Sequence, residues 1–141
     1  MAYADMITKI QTDFEASIGA TYPTLYQNED EQDFAKPNGG VWIRLTIKPA
    51  DSQTIAVGNE VEFRMPLVMI AQVFAPAFSK LATMNAVVKL IQDQFAYKDL
   101  SVGDTEGTVV SFQEPTVVDV GRDRGQYQIN VSVRAETDFF V

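Results

Sequence analysis

The 141-residue chain contains no cysteine and no histidine. Without cysteine it has no disulfide, no thiolate nucleophile and no thiolate metal site. Without histidine it lacks the commonest general base and transition-metal ligand, so no Ser or Thr has the imidazole that a Ser-His-Asp triad needs. Most hydrolase chemistries are thereby excluded, and the sequence offers no catalytic, cofactor-binding or metal-binding set. No apolar run approaches the ~20 residues that span a bilayer. The opening Met1-Ala2-Tyr3-Ala4-Asp5 lacks the basic-then-apolar pattern of a secretory signal. The expectation is a soluble, intracellular chain with no membrane contact. Basic residues are scarce: 11 Lys and Arg stand against 19 Asp and Glu, a formal charge of −8, and they form no run. Charge of this sign repels phosphates and argues against tight nucleic-acid binding.

What is present is globular. Apolar residues make up 46% and charged residues 21% of the chain, and a chain of this length buries roughly two-thirds of its unfolded surface in one core. Residues 1–141 are therefore expected to form one domain.

From Ala4 to Ile18, the residues Ile7, Ile10, Phe14 and Ile18 recur every three or four positions and predict an amphipathic helix that Gly19 stops. Thr21 to Gly40, with Pro23, Pro37, Gly39-Gly40 and an acidic run, reads as a long loop. Val41 to Lys48 alternates, with Val41, Ile43, Leu45 and Ile47 on one face and Trp42, Arg44, Thr46 and Lys48 on the other, which predicts a half-buried strand. A turn is expected through Pro49-Ala50-Asp51-Ser52. A strand from about Val61 to Phe74 follows, apolar on both faces at Leu67–Ala71 and therefore central. Pro66 within it implies a bulge or an unpaired position.

A second helical stripe, Leu81, Met84, Val88, Ile91 and Phe95, follows Ser79, which is placed to cap it. Val109–Phe112 and Thr116–Val118 predict a strand bulged around Pro115, and Gly121–Gly125 predicts a turn. Tyr127, Ile129, Val131, Val133 and Ala135 then alternate with polar residues in the last strand. The order helix, strand, strand, helix, strand, strand predicts an α+β fold, a largely antiparallel or mixed sheet with two helices packed on one face.

Trp42 and Arg44 lie on the polar face of their strand. They read either as a subunit-interface anchor or as residues that a loop or helix covers within the chain. Phe139 and Phe140 are apolar at a chain end and dock on their own core or on a neighbour. Glu29, Asp30, Glu31 and Asp33 lack the glycine and spaced bidentate acid of a calcium loop. They read as a solvated loop, or as a channel lining that repels DNA. The pairs Asp119/Asp123 and Glu60/Glu62 are what chance gives an acidic chain, with no partner group to make them catalytic.

In element order and in several landmarks the chain resembles the tail-terminator and minor-tail-protein family of tailed bacteriophages. The landmarks are Tyr26-Gln27-Asn28 before the loop with Phe34 and Pro37, the strand opening at Trp42, the exit Val73-Phe74-Ala75-Pro76, and the closing hairpin with Gly121, Tyr127 and Val131. Arg64-Met65-Pro66 and Ala135 depart from the family's usual glycine and aromatic. The resemblance implies a non-enzymatic virion protein of the tail, assembled in the host cytoplasm. It would form a homo-oligomeric, hexameric ring on the tail-tube protein, end tail growth and meet a head-completion or connector protein. Another head–tail connector or tube subunit has a similar build. A small ligand-binding or enzymatic domain would need a deep polar pocket.

Overall fold

A computed structural model describes residues 3–27, 29, 34, 40–50, 53–56, 58, 62–77, 81–103 and 107–140. The predicted first helix is α1, Tyr3–Phe14, which loosens into a π-helical turn, Glu15–Gly19, closed by the Ala20 N–H on the Glu15 carbonyl at 2.8 Å. Its stripe is as expected, with Met6 added: Met6, Ile7, Ile10, Phe14 and Ile18 are all buried. The second helix, α2, spans Leu81–Phe95 and buries Met84, Val87, Val88, Ile91 and Phe95. Ser79, expected to cap it, lies outside the described residues.

Among the described residues seven strands form one sheet: β1 Thr24–Tyr26, β2 Trp42–Pro49, β3 Gln53–Ala56, β4 Glu62–Pro76, β5 Asp99–Ser101, β6 Val109–Asp123 and β7 Gln126–Phe140. The order across it is β1-β2-β4-β7-β6-β5, with β3 also on β4, and only the β1–β2 pair is parallel. The fold is thus the α+β class that the sequence predicts, with one mixed sheet. Its spine is the β4–β7 ladder, which runs without a shift from Glu62↔Phe140 to Pro76↔Gln126.

Odd-numbered residues of β2, β4 and β7 face the helices. Ile43, Leu45, Ile47, Leu67, Met69, Val73, Ile129, Val131 and Val133 join the helical stripes in one core. Phe14 stacks on Phe95 at 5.9 Å, and Phe95 meets Phe112 of β6 edge-on at 5.3 Å. An ion pair at 2.6 Å between Lys98 Nζ and Asp13 Oδ2 ties the segment after α2 to α1.

The expected turn at Pro49–Ser52 is not where the chain reverses. β2 and β3 run in the same direction along one edge of β4, pairing Pro49↔Leu67 and then Gln53↔Arg64, and the reversal falls between Ala56 and Glu62. The Ala50 N–H donates to the Pro66 carbonyl at 2.8 Å. The groups of one residue in an extended strand point to the same edge, so Pro66's missing donor faces the break between β2 and β3. Its position opposite Glu136 of β7 is undisturbed. The bulge expected at Pro115 is present, since Phe112↔Ala135 is followed by Pro115↔Val133. The final turn is shorter than expected: Arg124 and Gly125, with φ of 51° and 80°, make a two-residue hairpin connection in which both residues have positive φ.

Candidate assembly surface

The edges of the sheet are where this fold can meet another chain, because an unpaired rim presents free backbone donors and acceptors. The rim at β2 is closed one group at a time. β1 pairs with Ile43–Leu45, and the Ile43 N–H reaches the Pro23 carbonyl at 2.9 Å. Alternate residues face the same way, so Ile47 also points outward. Its N–H is taken by Gln27 Oε1 at 2.5 Å, and the next outward position, Pro49, has no N–H.

The segment that supplies Gln27 is anchored on the helix. The Tyr26 hydroxyl donates to the Glu15 carboxylate, and the Tyr26 N–H donates to Glu29 Oε1 at 2.9 Å. Burial, then the Glu15 hydrogen bond, push the Tyr26 phenol far above its ordinary pKa. Gly19 makes room for this pair, because a Cβ there would lie 2.9 Å from the Tyr26 hydroxyl oxygen.

Trp42 lies on the face opposite the helices, as its parity predicts, yet it is only 3% exposed. Its ring stacks on Phe74, its cross-strand partner, at 4.4 Å and is covered by Phe34 at 5.6 Å. The Arg44 guanidinium lies 5.9 Å and 5.8 Å from the Trp42 and Phe74 ring centres. Of the two readings of Trp42, the isolated chain has the covered one: Trp42 sits outside the main core, in an aromatic cluster with Phe74 and Phe34. Of the acidic run, Glu29 is exposed and bonded to Tyr26, and Asp30, Glu31 and Asp33 lie outside the described residues. Phe139 and Phe140 continue β7, paired through the backbone with Phe63 and Glu62, and their side chains are not described.

The rim at β6 is closed only at its start. β5 covers Val109–Ser111, the Phe112 N–H reaches the Lys98 carbonyl at 2.7 Å, and the Tyr97 N–H reaches the Gln113 carbonyl at 3.2 Å. Beyond Gln113 no described strand pairs with this edge. Phe112 turns its backbone outward, opposite Ala135. Val133, Val131 and Ile129 share the parity of Ala135, so their partners Pro115, Val117 and Asp119 turn outward too. Pro115 has no N–H to leave open, but Val117 and Asp119 do.

The side chains around this stretch are apolar and exposed: Val117 by 40%, Val118 by 51% and Val120 by 49%. Tyr97, 71% exposed with φ of 54°, stands at the point where the covering segment ends. The Tyr127 hydroxyl donates to both oxygens of Asp119 at 2.7 Å, a bond that raises the Tyr127 pKa and holds the Asp119 side chain.

Elsewhere among the described residues, Thr137 Oγ1 is buried without a hydrogen-bond partner. Arg64 holds Asp138 at 2.9 and 3.1 Å beside an open groove of about 390 Å³ lined by Thr108, Ser111 and Glu136. Among the described residues no three acidic side chains gather as a metal site, and no helix is long and apolar enough to cross a membrane. Asp119 is engaged by Tyr127, and the side chains of Glu60, Glu62 and Asp123 lie outside the described residues. The β6 rim is absent from the sequence expectations. Its signal was Val117-Val118-x-Val120, apolar on both faces immediately after a strand proline.

A family model described as phage tail terminator protein matches residues 5–134, which include both rims. The fold is similar to that of a solved chain at a TM-score of 0.75, with 17% identity over 99% of this chain and 97% of that one, a likeness of fold. No curated protein sequence matches.

Proposed function

We propose, from the premise that this chain belongs to the phage tail terminator family, that it assembles as a ring at the head-proximal end of the tail tube. There it stops tube growth and gives the head a surface to join. Membership itself makes the chain a structural protein of a phage tail, in a family of structural proteins and not enzymes, whose partners are tail and head proteins. The observation that carries the finer reading is the extent of the match, since residues 5–134 take in most of α1, all of α2 and all of the β6 rim.

The physics supports it. A chain whose sheet is guarded on one side and open on the other offers two different surfaces, and a contact between unlike surfaces closes into a ring when its rotation permits. Six copies is the number that the family resemblance implies. Each copy brings a formal charge of −8, so DNA could pass such a ring without sticking to it. At moderate salt the protein should not retard duplex DNA, and salt-sensitive binding would contradict the reading.

The decisive experiment removes the protein during infection and images the lysate. The expected result is separate heads and tails, with tails of uncontrolled length. Normal infectious particles made without it would end the tail-terminator reading.

A further inference from the structure

We propose that the open stretch of β6, Pro115–Asp119, is one half of the seam between subunits, and that it adds to the free side of β3, Gln53–Ala56, in a second copy of this chain. The inference rests on the ring reading and goes beyond it by naming both strands of the contact.

Three observations select this occupant. The first is availability. The Val117 and Asp119 backbones face outward from an edge that no described strand covers, and β3, among the described residues, pairs only with β4. The rim above β3 is shut by β1, by Gln27 on Ile47 and by Pro49. An incoming strand is thus kept from sliding along β2, and the register is confined to β3. The second is fit. Four residues of β3 meet five of β6, both stretches are rich in β-forming Thr, Ile and Val, and neither carries a base or an interior charge.

The third is charge. Gln113–Val120 contains two acids, Glu114 and Asp119, and no base, whereas β2, which leads into β3, contains Arg44 and Lys48 and no acid. In a chain with a formal charge of −8, strand β2 itself is a basic exception, with Asp51 standing between it and β3. It complements the acidic rim at β6 and discourages two β6 rims from meeting each other. The seam joins unlike surfaces, as a closed ring requires, whereas β6 on β6 would stop at a two-fold dimer.

The absence of native cysteine permits a clean test. Val118 is exposed, and Gln53 opens β3, paired through the backbone with Arg64. Val118→Cys and Gln53→Cys are made separately, mixed on isolated tail tubes and treated with a short bis-maleimide. Cross-linked dimers are expected from the mixture and not from Val118→Cys alone. In parallel, Val117→Pro removes one outward N–H that the intrachain ladder does not use. It should weaken assembly about tenfold, the scale of one strand hydrogen bond, at an unchanged melting temperature. If it melts early, Val118→Lys takes its place in the same assay.

A wild-type ring in which the mixture does not cross-link, in which Val118→Cys links to itself, or which Val117→Pro forms as readily, overturns the seam and leaves the ring standing. A wild-type chain that stays monomeric on tails removes the ring, and the seam with it.

Discussion

The rim at β2 and the rim at β6 edge the same sheet, yet only the first is shut to strand addition. At β2 each outward group meets a local answer: a short parallel strand, the Gln27 side chain on the Ile47 N–H, and a proline with no N–H to offer. At β6 the cover by described residues stops at Gln113, and exposed valines flank outward-facing backbone. Edge strands left unguarded invite unwanted pairing, so proteins usually blunt them. A chain that guards one rim residue by residue and leaves the other bare is asymmetric in a way that suits directional assembly.

The comparison breaks most visibly at Trp42. Trp42→Ala empties a buried aromatic site beneath Phe34 and should cost about 3–5 kcal/mol of folding stability, read as a large fall in melting temperature, with assembly intact among the molecules that remain folded. A variant that melts normally but fails to assemble would make the β2 side the assembly face. Gln27→Ala strips the guard from the Ile47 N–H. About 1 kcal/mol of stability should go with it, and sedimentation should reveal open, concentration-dependent oligomers as β2 becomes available beside β3.

Each rim also carries a tyrosine–carboxylate pair, Tyr26 with Glu15 and Tyr127 with Asp119, and both phenols have raised pKa values. A phenol whose folded pKa is raised contributes stability that is complete below the unfolded value of about 10 and is lost as pH rises through the folded value. Melting temperature should therefore decline above pH ~10. Tyr26→Phe should flatten that decline more than Tyr127→Phe, because burial acts first at Tyr26 while Tyr127 sits in an exposed pair. Equal flattening would show that the guarded rim is no better sealed from water. The smallest expected effect on folding is at Val118→Lys, within about 0.5 kcal/mol, while assembly on tails weakens; unchanged assembly would acquit the β6 rim.

Much of the fold was legible because period and burial agree. The two-residue alternation of β2 and β7 and the helical stripes of α1 and α2 each place their apolar residues on the core side. The three-residue strands β1 and β5 were not legible, since Thr24-Leu25-Tyr26 and Asp99-Leu100-Ser101 are too short to show a period and exist because β2 and β6 hold them. Pro49–Ser52 reads locally as a turn, but the length of β4 draws the chain onward into β3. At the candidate site, parity placed Trp42 on its face correctly. What covers it is Phe34, eight residues earlier, a contact that no local period announces. The β6 rim escaped because Val117-Val118-x-Val120, apolar on both faces, reads equally well as a covered strand.

The unbroken β4–β7 ladder has a consequence for the order of events in the cell. Its pairs join residues about 50 to nearly 80 positions apart, the kind of contact that forms late and slowly in folding. β6 takes its place in the sheet through β7. A nascent chain therefore cannot display the finished β6 rim until residues 126–140 have left the ribosome, and chains cut short before that point should be unable to enter a growing tail. Strand order thus acts as a completeness check, since the β6 rim is presented only by a chain that has already laid down β7.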